Sequence, residues 1–281
     1  MKISFNLVSF SALTALSLSS QAALTNLYTF NDGTANDSAG TKHGTLVNSG
    51  KGVFTGGRLD FSANGGSGDA GVEGYVNLPN GLFSAAVSGG TAGAASFSLW
   101  FTVAENRNWA PALSFGTSTS GEDNTSGGGS GADYLQLIPR AGNEGNTLRL
   151  TTHAANVGAE GFVNAAAEAP IGSLINAVGV FDGGNFSFYV NGVQIGATTA
   201  MPAALNLSTF NDNNNWLGRS QWGDPVFDGA YDQLGIYNTA LSAGDIATAY
   251  AAGPVAVPET SGALLGLLGA ASLAGRRRRA V

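Results

Sequence analysis

Residues Ala177–Ala197, AVGVFDGGNFSFYVNGVQIGA, decide the fold because they contain three strand segments and two tight turns. Along the second segment the side chains alternate between two faces, with Phe186, Phe188 and Val190 on one and Ser187 and Tyr189 on the other. This two-residue period is typical of a β-strand with one buried face. Asn191 and Gly192 mark a hairpin because both residue types tolerate positive φ, and residues 182–185, DGGN, form the other turn. The stretch predicts a three-stranded antiparallel meander.

Similar strand patterns recur along most of the chain. Further strands are predicted at Leu24–Phe30, Arg58–Phe61, Gly74–Asn77, Ser96–Val103, Ala112–Phe115, Tyr134–Ile138, Thr147–Thr152, Asn215–Gly218 and Ala230–Tyr237. The one helix that the pattern predicts between them and the C-terminal tail is short and begins after Ser242, a preferred N-cap residue. Many short strands joined by turns predict an all-β, antiparallel two-sheet sandwich over residues 24–252.

The composition narrows the function classes. Charged residues make up 11% of the 281 residues, against roughly 25% in an average globular domain. Between Leu24 and Val257, eighteen Asp and Glu stand against seven Lys and Arg. Such an acidic body without a basic patch argues against nucleic acid as a partner. Because the chain has no Cys, disulfides, thiolate metal sites and Cys nucleophiles are excluded.

The N-terminal residues 1–22 have the three parts of a secretory signal peptide. Lys2 precedes an apolar stretch that runs to about Leu18, and the small-residue segment Ser20-Gln21-Ala22 follows. This order predicts export through the Sec translocon and cleavage after Ala22.

The C-terminal tail follows a short linker at residues 253–257. Its segment Gly262–Gly275 has 14 residues without a charge and would span about 21 Å as a helix, less than the roughly 30 Å core of a bilayer. The segment therefore predicts a short transmembrane helix that is a marginal span. The basic residues Arg276, Arg277, Arg278 and Arg279 are expected to stay on the cytoplasmic side.

Residues 258–281 together resemble the PEP-CTERM sorting signal of Gram-negative bacteria. The resemblance rests on Pro258, Glu259 and Thr260, the apolar segment, and the terminal arginines. It implies recognition by an exosortase-type processing enzyme, transient anchoring in the inner membrane, and release to the cell surface or extracellular matrix. Thr260 departs from the pattern, in which a second Pro is usual.

Four segments of the body resemble the concanavalin A-like, laminin-G type (LamG) jelly roll. They are LYTFNDGTANDSAGTKHGTL at Leu27–Leu46, FSLWFTV at Phe97–Val103, VGVFDGGNFSFYVNGVQIG at Val178–Gly196 and FDGAYDQLGIYNTALSAGDI at Phe227–Ile246. The resemblance covers residues 24–252. It implies two antiparallel sheets in which the first strand pairs with the last.

Catalytic motifs are not evident. Retaining glycoside hydrolases need two carboxylates about 5 Å apart, and the superfamily pattern E-x-D-x-E does not occur at any of the seven Glu. The sequence therefore predicts a non-catalytic module that binds a glycan, such as an exopolysaccharide. Two alternatives remain: a glycoside hydrolase or lyase of the same superfamily, and a purely structural matrix protein.

A structural Ca²⁺ ion is a further expectation, since LamG-like modules often hold one. Its candidate ligands are Asn31, Asp32 and Asp37 after the first strand, with Asp232 brought close if the first and last strands pair. Calcium prefers several oxygen ligands of this kind. Alternatively, these Asn and Asp side chains form Asx turns.

The candidate ligand-binding residues lie around tryptophans, because exposed aromatic rings can pack against sugar rings. Trp109 and Trp222 are the candidates, with Arg219 and Asn214 as polar neighbours. Trp222 lies in a turn and is expected to be exposed. Trp216 lies in a predicted strand and is expected to be buried in the core.

Overall fold

A computed structural model describes residues 24–67, 72–89, 93–123, 130–155 and 160–254. Within these residues it contains fifteen strands in two sheets and two short helices. The predicted signal peptide with its cleavage site at Ala22, and the tail with its sorting motif, apolar segment and arginines, lie outside the described residues. In the part of the chain that is described, no helix is both long and apolar enough to cross a membrane.

The strands confirm an all-β, two-sheet antiparallel sandwich. The eight-stranded sheet contains β1 (Leu24–Tyr28), β3 (Val53–Thr55), β4 (Arg58–Asp60), β6 (Ala95–Glu105), β11 (Leu174–Asp182), β12 (Asn185–Val190), β13 (Val193–Ala200) and β15 (Asp228–Tyr237). The seven-stranded sheet contains β2 (Thr45–Val47), β5 (Tyr75–Leu78), β7 (Leu113–Ser118), β8 (Gly131–Ala141), β9 (Thr147–His153), β10 (Gly161–Asn164) and β14 (Asn214–Leu217). Every strand predicted from the sequence is present, with ends shifted by at most three residues.

The order of strands is consistent with a jelly roll. The first sheet runs β13-β12-β11-β6-β15-β4-β3, and β1 pairs with β15 beside β4. The second runs β10-β9-β8-β7-β14-β5-β2. The expected pairing of the first and last strands is confirmed, with Tyr28 opposite Leu234. In the meander β11-β12-β13, Asn191 and Gly192 both have positive φ, as their turn requires.

The hydrophobic core lies between the two sheets. Leu99 and Phe101 of β6 face it from one side, and Leu135 and Leu137 of β8 face it from the other; all four are completely buried. Because side chains alternate across a strand, the residues between these core positions point to the outer faces of the sandwich.

Helix α2 (Ala243–Ala252) covers the outer face of the eight-stranded sheet. As predicted, Ser242 is its N-cap: the Ser242 hydroxyl accepts a hydrogen bond from the Asp245 backbone N–H at 3.1 Å, and the Asp245 carboxylate completes a capping box. Tyr250 of the helix stacks on Trp100 of β6 with ring centroids 5.8 Å apart. Ile246 is buried against the same sheet.

Helix α1 (Leu82–Gly89) is not predicted by the sequence pattern. Its first backbone N–H groups are capped from far along the chain, since the Asp212 carboxylate accepts hydrogen bonds from the N–H of Phe83 at 2.8 Å and of Ser84 at 3.2 Å. Because the capping group comes from a distant part of the chain, no local N-cap signal marks the start of this helix. Three strands that the sequence pattern also misses, β2, β3 and β10, have only three or four residues each.

Candidate functional site

The outer face of the seven-stranded sheet carries many buried polar and aromatic residues. Three cross-strand pairs run along it between β8 and β9: Tyr134 with His153, Gln136 with Thr151, and Ile138 with Arg149. We call this surface the polar face and define it by the outward residues Tyr75, Asn77, Ser114, Tyr134, Gln136, Arg149, Thr151, Phe162, Asn164, Asn214 and Trp216.

The loop between β14 and β15 crosses the polar face and is held there by hydrogen bonds. Gln221 donates to the Ser114 hydroxyl at 2.9 Å, and Gln136 donates to the Ser220 hydroxyl at 3.3 Å. Ser220 in turn donates to the Asp224 carboxylate at 2.8 Å. Gln136, Ser114, Ser220 and Gln221 are all buried. Because buried hydrogen-bond networks impose a defined geometry, this one fixes the path of the loop.

Arg149 is the centre of a second cluster on the polar face. Its side chain is completely buried, and its guanidinium carbon lies 4.1 Å from the ring centroid of Phe162 and 5.4 Å from that of Trp109. The guanidinium forms ion pairs with Glu144 and, at 3.5 Å, with Glu160. Trp109 therefore lies beside the polar face, partly exposed and in a backbone conformation with φ of 62°. Its role in ligand binding stays a prediction.

Arg219 and Trp216 lie against each other on the β5 side of the polar face. Trp216 is buried as expected, and the Arg219 guanidinium carbon lies 4.0 Å above its ring centroid and 4.9 Å from that of Tyr75. Arg219 also donates to the Tyr75 hydroxyl at 3.3 Å. Arg219 is itself buried and packs the loop onto the sheet, and its role as a ligand contact stays a prediction.

Asn214 is also buried, contrary to what a ligand-contacting residue requires. Its side-chain amide donates to the Gly121 carbonyl at 3.1 Å, and its side-chain oxygen accepts from the Asp123 backbone N–H at 3.1 Å. Trp216 donates to the Asp123 carboxylate at 3.3 Å. The Asn214 side chain therefore holds the loop that follows β7, and its role as a ligand contact stays a prediction.

Trp222 is the predicted residue that remains accessible, with 40% of its surface exposed. Its ring meets Tyr134 edge-on, with centroids 6.5 Å apart and planes at 85°. A Cβ on Gly131 would lie 2.6 Å from the indole nitrogen of Trp222, so glycine is required beneath the ring. Trp222 is thus held at the rim of the polar face while one side of it stays open.

Two carboxyl groups lie close to Tyr134, the residue that the Trp222 ring meets. Glu160 accepts a hydrogen bond from the Tyr134 hydroxyl. Burial raises the pKa of Asp224 to about 6, the hydrogen bond from Ser220 opposes this rise, and the negative charge of Glu160 adds to it. The pKa of Tyr134 is raised by burial and by Glu160. At neutral pH the rim is therefore anionic.

The sequence pattern does not single out Arg149, Phe162, Glu160 or Asp224. Arg149 alternates with Leu148 and Leu150 in a predicted strand, which is a signal for an outward position but not for a site. Phe162 lies in the unpredicted strand β10. The partners of these residues follow from the sheet register and the loop paths, which local periodicity does not specify.

The calcium prediction gains no support from the first turn. Both carboxylate oxygens of Asp37 are taken up by the chain: the backbone N–H groups of Leu27, Ala39 and Gly40 donate to one, and Asn26 and the Lys42 N–H donate to the other. Burial alone would raise the pKa of Asp37, but these hydrogen bonds together outweigh burial and leave the pKa lowered. Asp37 therefore does not fit an ion ligand.

The other proposed calcium ligands are also not gathered into a metal site. Asp32 accepts from the N–H of Thr34 at 3.0 Å, as in an Asx turn, and the side-chain oxygen of Asn31 faces Gly57. Asp232 lies on β15, where burial raises its pKa. Across the described ranges, no three Asp, Glu or His side chains are grouped so that they would hold a metal.

Comparisons with known proteins identify relatives of the fold. The family model of the concanavalin A-like lectin/glucanases superfamily matches residues 69–247. Domain 4 of AbnA, a GH43 extracellular arabinanase from Geobacillus stearothermophilus, is 20% identical with a TM-score of 0.60, and the match covers 81% of this chain and 98% of that domain. A search of curated sequences found no match.

Two larger proteins match over part of their length. Botulinum neurotoxin type C is 14% identical with a TM-score of 0.53, over 82% of this chain and 51% of the toxin chain. A Trypanosoma rangeli sialidase is 14% identical with a TM-score of 0.52, over 81% of this chain and 32% of the sialidase. At these identities the likeness shows a shared fold.

Proposed function

Because the chain belongs to the concanavalin A-like lectin/glucanase superfamily, we propose that it is a non-catalytic glycan-binding protein and that the polar face binds the glycan. The observation that carries this proposal is the open ring of Trp222 beside polar side chains. An aromatic ring packs against the apolar C–H surface of a sugar, while nearby polar groups bond to its hydroxyls. Exposed Phe162 and partly exposed Trp109 extend the aromatic surface.

Proteins of the same fold support a glycan as the ligand class. The arabinanase domain is described in complex with arabinotriose, and cell entry of neurotoxin type C is described as dependent on interaction with two ganglioside molecules. For this chain we propose an exopolysaccharide or another surface glycan.

A glycan array with the purified protein tests this proposal. We expect binding, and we expect Trp222→Ala to weaken it at least about tenfold, the loss that corresponds to about 1.4 kcal/mol. The matched control is Tyr250→Ala, which removes an aromatic residue of similar exposure, 39%, from the other outer face. If no glycan is bound, the purely structural alternative is favoured.

A glycoside hydrolase is the second candidate, because Glu160 and Asp224 have different environments beside the same ring. Glu160 pairs with the Arg149 guanidinium, whereas the raised pKa of Asp224 allows Asp224 to hold a proton. Glycosidases use one carboxyl group as the general acid and a second, ionised one as the nucleophile or base. Release of reducing sugar by the wild-type protein, abolished in Asp224→Asn and in Glu160→Gln, would establish this candidate in place of the non-catalytic one.

We propose further that the protein is exported through the Sec translocon and processed by an exosortase-type enzyme after a transient stay in the inner membrane of a Gram-negative bacterium. The support is the sequence pattern of residues 1–22 and 258–281. Intact-mass analysis of the exported protein is the test. A mature form that begins near Ala23 and lacks Arg276–Arg279 is expected, and one that retains these arginines contradicts the proposal.

A further inference from the structure

We propose that the polar face selects glycans that carry a positively charged amino group, which is bound between the open ring of Trp222 and the carboxylate of Glu160. This inference rests on the proposed glycan-binding function and names its ligand class. The inference depends on which charged groups of the polar face are accessible to a ligand.

The cationic groups of this face are withdrawn from solvent. The side chain of Arg149 is completely buried between two rings, and Arg219 is buried against Trp216 and Tyr75. The carboxylates that pair with Arg149 are more accessible: the Glu160 side chain is 29% exposed and the Glu144 side chain 49%. A ligand that approaches the face therefore meets negative charge before it meets positive charge.

Glu160 retains capacity to bind a further donor. One of its oxygens accepts from the Tyr134 hydroxyl, and the other lies 3.5 Å from an Arg149 nitrogen. That distance is longer than the 2.7–2.9 Å typical of a charge-assisted hydrogen bond. Because each carboxylate oxygen accepts about two hydrogen bonds, an ammonium group can be added without displacing Tyr134 or Arg149.

The surroundings of Glu160 favour a cation over a neutral hydroxyl. Asp224 lies close enough for the charge of Glu160 to contribute to the rise of its pKa, so negative charge accumulates at this rim. The open ring of Trp222 adds a cation–π partner for an ammonium group. A neutral sugar would use the ring alone, and an acidic sugar would be repelled by both carboxyl groups.

Isothermal titration with three oligosaccharides of equal length tests the inference: glucosamine oligomers with free amino groups, N-acetylglucosamine oligomers, and oligomers that contain glucuronate. We expect the free-amine oligomer to bind about tenfold more tightly than the N-acetylated one, since a hydrogen bond between charged groups is stronger than one between neutral groups. The preference should shrink as salt is added.

Two variants locate the effect. Glu160→Gln should abolish the preference but keep the weaker binding that Trp222 provides, whereas Asp182→Asn, the same loss of charge at the end of β11 in the other sheet, should leave the preference intact. The inference is overturned if the wild-type protein binds the free-amine and N-acetylated oligomers with equal affinity. It is also overturned if folded Glu160→Gln keeps the preference. Either result leaves the proposed glycan-binding function intact. If the wild-type protein binds no glycan of any kind, both proposals fail.

Discussion

The two outer faces of the sandwich are covered in opposite ways. On the eight-stranded sheet, helix α2 closes an apolar surface in which Val178, Val180 and Tyr189 are buried with Ile246. On the seven-stranded sheet, loops cross a surface of hydrogen-bonded and ion-paired side chains centred on Gln136, Arg149 and Arg219.

This difference separates stability from function. Apolar contact is non-directional and roughly proportional to the buried area, so the packing of Ile246 against this sheet needs only shape and hydrophobicity. Ser96 and Asn176 on the same face also form hydrogen bonds. A buried polar network gives a unique geometry but contributes little net stability unless each partner is satisfied. The polar face therefore depends on directional contacts, and each of the following variants tests one side of the contrast.

The largest loss of stability is expected from Trp100→Ala on the apolar face. Trp100 is buried beneath α2 and stacks on Tyr250 with planes at 11°, and large aromatic-to-Ala changes in buried positions cost about 3–5 kcal/mol. Urea denaturation should show a loss near the middle of that range, about 4 kcal/mol. Glycan affinity measured on the folded protein should not change. A parallel loss of affinity would mean that the two faces are coupled through β6.

Arg149→Met should produce the next largest loss of stability, and it should also lower glycan affinity. Removing the buried guanidinium leaves Glu144 and Glu160 without their cation, and loss of one partner of a buried ion pair costs about 3–5 kcal/mol. Because both carboxylates are partly exposed, solvent offsets part of this cost. We therefore expect the free energy of unfolding to fall by about 3 kcal/mol.

Glycan affinity should fall as well in Arg149→Met, since Phe162 and Trp109 lose the group that lies between them. Arg149→Lys is the control that keeps the charge but not the planar stacking surface. If Lys restores stability without restoring affinity, the geometry of the rings is what the ligand requires. If Arg149→Met stays as stable as the wild type, the cluster does not hold the face together.

Much of the fold could be predicted because its signals are local. The strand alternation, the turn at Asn191 and Gly192, and the cap at Ser242 depend on neighbours in the sequence, and the structure confirms them. Helix α1 has no such signal, since its cap comes from Asp212, which follows Phe83 by 129 positions.

The candidate site could be predicted only in part. Trp216 and Trp222 are separated correctly into buried and exposed residues because one lies in a strand and the other in a turn. Arg219 and Asn214 look like ligand contacts in the sequence because polar residues near tryptophans favour that interpretation. Their burial results from where the loops cross the sheet, and this path depends on contacts between distant segments.

The pH dependence of stability should show a smaller effect, specific to the polar face. The pKa of Asp224 in the folded protein is about 6, above its ordinary value of 3.8, so the folded state binds more protons than the unfolded state between those values. The free energy of unfolding therefore decreases as pH rises from about 4 to about 6, by roughly 2 kcal/mol from this group.

Asp224→Asn should remove that contribution. The measurement is urea denaturation of both proteins at several pH values, with the difference between them plotted against pH, since other carboxyl groups titrate in both. Asp37, whose pKa is lowered, contributes in the opposite sense and cancels in this difference. A difference that does not vary with pH over this interval would show that Asp224 is solvated like an ordinary carboxyl group.

The smallest effect is expected from Ser242→Ala, which weakens the helix that covers the apolar face. The variant loses the hydroxyl that accepts from the Asp245 N–H and donates to the Asp245 carboxylate, and loss of an N-cap side chain costs about 1 kcal/mol. Ser242→Thr, which keeps the hydroxyl, should recover most of the loss in thermal denaturation. Because a cap fixes only the first turn of α2, Trp100 should stay covered and glycan affinity should stay unchanged. If Ser242→Ala lost more stability than Trp100→Ala, the docking of the whole helix α2 would depend on its N-cap. The apolar face would then rely on directional hydrogen bonds, as the polar face does.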